Sequence, residues 1–245
     1  MITQPTRAII LRTVKYGETS VVVTAYTSLF GLQSYLIKGA LKGSTVKPVV
    51  NQYFQPGAIL EMVVYQNPSR SLQLVKEYGW HTMHQQLFFD VVRNAVAVFM
   101  IDVLLHSVRQ PEANPELYEL MEMSLKQADR ATMGVVANLP IYFILHLSSE
   151  LGFQIQGTYS RETPVLDLKE GSFLHTIPSH PFYLDGEPAK HLCAIRDVAF
   201  YESLDQVALQ RNTRQVLLHH LQQYMALHIQ DFGTLKTLYV LSQVL

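Results

Sequence analysis

The spacing of apolar residues changes once along this chain, and that change limits the fold more than any single motif. Between residues 7 and 76 the period is two. Short runs rich in β-branched and aromatic residues cover 7–14, 19–27, 32–38, 58–66 and 70–76. Turn residues part them, among them Tyr16-Gly17-Glu18, Leu29-Phe30-Gly31 and Asn67-Pro68-Ser69. Side chains on a strand alternate between its faces, so such runs read as half-buried strands. In the first run, Ile9 and Leu11 are expected on one face and Ile10 and Arg12 on the other. Five short strands in so few residues suit a small closed sheet such as an OB-fold, and an SH3-like barrel fits the pattern almost as well.

From about residue 82 the period lengthens to about 3.6. Phe88, Val91, Val92, Ala95, Val96, Phe99, Val103 and Leu104 form one apolar stripe of a long helix. Asn114-Pro115-Glu116 has the order of a helix start: a capping side chain, proline at the first helical position, and an acid near the positive end of the dipole. Leu117, Leu120, Met121 and Leu125 are its expected buried residues. A further helix over about 135–151 stops at Gly152. Residues 153–192 lose this periodicity and gain Pro164, Pro178, Pro181, Pro188, Gly171 and Gly186. They read as a small irregular insert with a hairpin around Lys169-Glu170-Gly171. Helix returns near Ile195, and Asn212-Thr213 is the expected cap of a long helix through Ile229. The expected class is α+β, with an OB-fold over 1–80 and a helical domain over 81–245 that carries the insert at 153–192.

Charge divides along the same line. Residues 1–80 hold eight Lys/Arg against three Asp/Glu, whereas 81–245 hold eleven against seventeen. A basic N-terminal part suggests a polyanionic partner there and not in the remainder. Its densest stretch follows the third run, where Lys38, Lys42 and Lys47 alternate with Gly39 and Gly43, and no acid occurs between Glu18 and Glu61. Glycine lets a backbone come close to a phosphate chain, and lysine supplies point charges. Tyr16, Tyr26, Phe30, Tyr35, Tyr53, Phe54 and Tyr65 are interleaved with Arg7, Arg12, Lys15 and the three lysines. Basic grooves with stacking rings are how OB-folds hold single strands, although about half of these rings are needed for the core.

Catalytic patterns are missing from the sequence. It has no glycine-rich phosphate loop, no nucleophile elbow and no His-Glu-x-x-His. Cys193 is the only cysteine, so neither an intrachain disulfide nor a thiolate zinc site can form. His175, His180 and His191 with Asp167 and Asp185 can be drawn as a metal site, but loop histidines at uneven spacing are usually surface residues. No cofactor is expected. The first residues lack the charged start and apolar stretch of a signal peptide, and no apolar run approaches the roughly 18 residues of a membrane span. The expected compartment is a reducing cytoplasm.

Glu18 after Tyr16-Gly17, the Tyr26-Thr27 to Phe30-Gly31 turn, and Leu36-Ile37-Lys38-Gly39-Ala40 with Lys42 resemble the N-terminal signature of the RecO recombination mediators. The order of parts is similar too, including a helix that ends in Leu151-Gly152-Phe153. Many members of that family carry a four-cysteine zinc knuckle after this step, and this chain does not. The resemblance implies a non-enzymatic DNA repair protein of the bacterial cytoplasm, associated with the nucleoid. It would bind single- and double-stranded DNA, anneal complementary strands and help load RecA onto coated single strands. Implied partners are RecR and the acidic C-terminal tail of the single-stranded-DNA-binding protein. Lys38 and Lys42 match the family's DNA contacts; Arg7, Arg12, Lys15 and Lys47 are added from charge and position. For the tail, Arg211 and Arg214 are the candidates, one turn apart and free of acidic sequence neighbours. An RNA-binding OB protein with a helical oligomerisation domain is the principal alternative, since the same surface suits RNA.

Overall fold

A computed structural model of the chain describes residues 2–40, 50–67 and 69–245. Five strands, β1 (Ile2–Tyr16), β2 (Ser20–Thr27), β3 (Gly31–Ile37), β4 (Ile59–Gln66) and β5 (Leu72–Thr82), close into a barrel in the order β1-β2-β3-β5-β4. Neighbours are antiparallel except β3 with β5. One helical turn, α1 (Val50–Tyr53), lies between β3 and β4. This is the five-stranded barrel of an OB-fold, and the molecule is α+β as the change of period implies.

β1 departs from the expected alternation. It pairs with β4 from Ile2 to Ile9 and with β2 from Ala8 to Tyr16, and a bulge shifts the register between Ile10 and Arg12. The Ile10 N–H donates to the Ala58 carbonyl at 2.9 Å, and the Ile10 carbonyl accepts from the Gly57 N–H at 2.8 Å. An extra residue bends the strand around the barrel. As a result Ile9, Ile10 and Leu11 are all buried, and Ile10 does not share a face with Arg12. With Val23, Tyr35, Leu60 and Val64 they fill the interior. Each fully buried aliphatic side chain contributes about 1.5–3 kcal/mol.

The chain divides into two compact units, one of Met1–Gln85 with Val108–Glu122, the other of Gln86–Ser107 with Met123–Leu245. The segment 108–122, read from periodicity as part of the helical domain, therefore packs with the barrel. It contains the first half of α3 (Pro115–Arg130), whose Tyr118 stacks on Tyr26 with centroids 6.5 Å apart. Asn114 caps this helix as expected, its Oδ1 accepting from the Leu117 N–H at 2.9 Å.

In the second unit α2 (Val91–Ser107) begins later than the stripe predicts. The preceding segment is tied by Asp129, whose buried carboxylate accepts from the N–H groups of Gln86 and Leu87 at 2.7 and 2.8 Å. Val91 is exposed in consequence, while Arg93 is buried on α2. The Arg93 guanidinium donates to the Ala128 and Ala131 carbonyls at 2.8 and 2.9 Å, placing a cation at the negative end of α3. α4 (Met133–Glu150) ends where expected, at Gly152 with φ +88°.

The insert has more order than its composition suggests. β6 (Val165–Asp167) and β7 (Ser172–Leu174) form the expected hairpin, and β8 (Tyr183–Asp185) joins as a third strand in the order β7-β6-β8. α5 (Gly186–Arg196) starts well before Ile195, with Pro188 in its first turn, where a missing N–H costs nothing. α6 (Arg211–His228) is capped at Gln210, so Asn212 and Thr213 lie inside its first turn and are not caps. α7 (Lys236–Val244) completes the unit. Among the described residues no helix is long and apolar enough to cross a membrane.

Candidate nucleic-acid interface

Strand register assembles the site. Val14 pairs with Val22, Val22 with Leu36, and Leu36 with Leu74; Arg12, Thr24, Ser34 and Leu72 form the next row. These rows alternate with buried rows such as Val23 with Tyr35, so they point outward from the barrel. Tyr16 faces Ser20 at the end of the sheet. Lys15 and Ile37 both pair with Val21, so Lys38, the next residue after Ile37, leaves the barrel at the end where Lys15 and Tyr16 lie. Arg12, Lys15 and Lys38 are exposed. Between the cations lie apolar surfaces that water covers poorly: Val14 is 48% exposed and Tyr16 57%. Lys42 and Lys47 lie outside the described residues.

Thr24 and Ser34 of these rows also line a groove of about 650 Å³, together with Phe30 and with Gln33, which belongs to the alternate row of Ala25. Arg70, from the β4–β5 loop, and Arg109, from the segment after α2, also line it. Gln73 fixes that loop. Buried beneath it, the carboxamide donates to the Asn67 and Arg70 carbonyls at 2.9 and 2.6 Å and accepts from the Asn67 N–H at 2.9 Å. On OB-folds the β2–β3 face and the β4–β5 loop are the usual seat of oligonucleotides. The composition of this face is that of a single-strand platform, cations along an edge with rings and small polar groups between them.

Arg7 is placed differently. The bulge returns it to the outer side, but five residues from Arg12, about 16 Å along an extended strand. Its Nη1 donates to Glu122 at 3.0 Å and its guanidinium lies 5.2 Å from the Tyr118 ring centroid. The other Glu122 oxygen is 3.3 Å from His81 Nε2, and His81 Nδ1 is 3.1 Å from Glu61. Burial, then the Glu122 charge, pushes the Tyr118 hydroxyl well above its ordinary pKa, so it stays protonated. This side of the barrel carries Glu61 and Glu77 beside Tyr78 and suits a phosphate chain poorly.

Of the interleaved aromatics, Tyr26, Tyr35 and Phe54 are core residues, while Tyr16 is open to solvent. Burial raises the hydroxyls of Tyr26 and Tyr35 to about 12. Sequence reasoning missed Arg70, Arg109, Gln33 and Gln73. Arg70 could have been found, since it follows the Asn67-Pro68-Ser69 turn at a strand start. Arg109 had no local signal, because only the return of 108–122 to the barrel brings it to this face.

In the second unit, Arg211 Nη2 donates to the Ser242 and Gln243 carbonyls at 2.6 and 3.0 Å, at the C-terminal end of α7. Arg214 reaches Asn138 Oδ1 through Nε and the Leu209 carbonyl through Nη2. Burial lowers the Arg214 pKa. In the insert, His180 Nε2 is 3.2 Å from Asp167, whose Oδ1 accepts from the N–H groups of Lys169 and Glu170. Among the described residues no three His, Cys, Asp or Glu side chains converge as a metal site would require.

The barrel topology and its basic outer face define an OB-fold protein of the α+β class. A family profile described as Recombination protein O N terminal matches residues 1–83, and one described as Recombination protein O C terminal matches residues 89–164. The chain belongs to the recombination protein O (RecO) family. It is similar to proteins named DNA repair protein RecO from Christiangramia forsetii, at 29% identity over 239 residues, and from Flavobacterium psychrophilum, at 28% over 245. A relative of the same name from Bacteroides fragilis is 28% identical over 243 residues. Each alignment covers 98% of this chain and 98% of the relative.

Proposed function

We propose that this chain is a non-catalytic mediator of recombinational DNA repair in the bacterial cytoplasm. It binds single- and double-stranded DNA on the outer face of β1, β2 and β3, anneals complementary strands, and with RecR helps load RecA onto coated single strands. The observation that carries this reading is the register itself, which puts Arg12 in the outward rows with exposed Val14 and Tyr16 and brings Lys15 and Lys38 to the end of the barrel where these strands finish. Lys42 and Lys47 extend the same basic run in sequence. Gel-shift and strand-annealing assays on the wild type and on Lys38→Glu/Lys42→Glu test it. The variant should lose most of both activities and keep its melting temperature, because Lys38 is exposed. Unchanged affinity and annealing would remove this edge from the site.

The tail of the single-stranded-DNA-binding protein is assigned to Arg211 more than to Arg214. Among the described residues Arg211 bonds through Nη2 alone, leaving Nε and Nη1 to meet a carboxylate, whereas Arg214 is half-buried with Nε, Nη1 and Nη2 all bonded. Fluorescence anisotropy with a labelled tail peptide should show at least about a tenfold weakening in Arg211→Ala, the equivalent of one charge-assisted hydrogen bond. Equal peptide affinity would place the tail elsewhere.

A further inference from the structure

Another groove of the barrel, of about 570 Å³, lies on the outer face where β1 pairs with β4 and β4 with β5. Register sets its two rows: Pro5, Val63 and Glu77 lie side by side, and so do Arg7, Glu61 and Gly79. Met62, in the alternate row, is buried, so these two rows face outward. Leu29, 52% exposed, also lines the groove. Gly79 leaves a gap in the second row. Its backbone is not left-handed, and a Cβ placed there would meet nothing within 4 Å. Neither conformation nor packing within the chain requires glycine at this position. Inside a strand, glycine costs stability and marks a bulge, a bend or a close approach from outside. The register shifts of this pair fall on either side, at Val63/Val64 and Ile59/Leu60, so the ladder is regular at Gly79. Close approach from outside is the use that remains.

Two carboxylates border the gap, Glu61 directly across from Gly79 and Glu77 two residues along β5. Their side chains are 70% and 65% exposed, with Glu61 against His81 at 3.1 Å and Glu77 against Lys76 at 3.0 Å. Pairs so open to water contribute little, so either carboxylate can change partner at small cost. Arg7, the one cation lining the groove, is held by Glu122 and the Tyr118 ring. We propose that this groove receives the basic edge of a second copy of the chain. Charge complementarity selects that occupant. Arg12, Val14 and Tyr16 succeed one another on the outward rows, and Lys15 and Lys38 lie at their end. A cation laid over Gly79 meets Glu61 and Glu77, while the apolar part of the edge meets Val63 and Leu29. The contact joins two different surfaces, so it is head-to-tail, and a dimer keeps one groove and one edge open for further copies. In one respect the proposal rests on the DNA reading above: DNA and a second copy compete for the same edge.

Sedimentation velocity on the full chain tests the contact, at about 50 mM salt and protein concentrations up to about 100 μM. The wild type should form dimers and longer species that disappear at about 500 mM salt, where screening is strong. Glu61→Gln/Glu77→Gln and Arg12→Glu/Lys38→Glu should each sediment as monomers. Mixed in equal amounts they should give a one-to-one heterodimer and nothing longer, because one intact groove and one intact edge remain. Gly79→Leu keeps both carboxylates and fills the gap, so it should weaken association too, and it serves if the Glu61 variant melts early. A wild type that stays monomeric, a groove variant that associates like the wild type, or a mixture without heterodimer overturns the proposal. The DNA reading fails separately. Saturating oligo(dT) should disperse the wild-type assembly; an assembly that survives it keeps the groove contact and overturns the assignment of this edge to DNA.

Discussion

The Arg7 guanidinium donates to a Glu122 carboxylate whose side chain is only 5% exposed, while Arg7 itself is 46% exposed. An exposed ion pair contributes little, but here one member is a buried charge, and removing its donor leaves that charge poorly satisfied. His81 remains as a second neighbour of Glu122, which limits the loss. Arg7→Ala is therefore expected to destabilise the protein by about 1–3 kcal/mol and to leave DNA affinity nearly unchanged. Urea denaturation alongside a DNA titration separates the two effects. A fall in affinity with stability intact would return Arg7 to the nucleic-acid interface. Residue type alone could not make this distinction. Arg7 and Arg12 are equivalent in sequence, and they differ because α3 brings Glu122 to Arg7, while among the described residues no acid pairs with Arg12.

At the scale of elements, the insert tests what holds a small sheet together in a helical unit. β6, β7 and β8 have three residues each, too short for independent stability, so side chains must complete them. Asp167 does so: buried, it accepts from the Lys169 and Glu170 N–H groups across the β6–β7 turn and lies against His180. Leu166, Leu168 and Leu184 supply apolar cover. A chelator should leave the melting temperature unchanged, whereas Asp167→Ala should lower it by leaving two turn N–H groups unsatisfied. A drop in EDTA would show that an ion, not Asp167 alone, orders this segment. The hairpin was legible because Lys169-Glu170-Gly171 separates two apolar runs. β8 and the early start of α5 were not, because proline content suggested irregular chain and nothing in residues 183–188 reports a partner strand. The same limit applied in the barrel: periodicity marked five strands, but the bulge that buries Ile10 comes from backbone bonds to Gly57 and Ala58, far along the sequence. The edge of the interface was readable as charge. Its groove was not, since Gln33, Arg70 and Arg109 come together only when the barrel closes.

For the molecule as a whole, charge asymmetry sets how binding should respond to salt. The N-terminal residues are basic while the larger remainder is acidic, so net charge is −1 and long-range attraction to DNA is weak. Affinity must then come from local phosphate contacts, each releasing a counterion. If about four cations touch phosphates, log K should fall with log salt at a slope near −0.7 × 4, or about −2.8, for a single strand. Between about 50 and 200 mM salt that is roughly a fifty-fold loss. Arg12→Glu/Lys38→Glu removes two contacts, so the slope should flatten to about −1.4 by the same relation. Tyr16→Ala should lower affinity at every salt concentration without changing the slope, since stacking releases no condensed counterion. Anisotropy titrations of the three proteins over a salt series separate the two kinds of contact. A slope that steepens or stays near −2.8 in the charge variant would mean that the phosphates are held by cations outside this face.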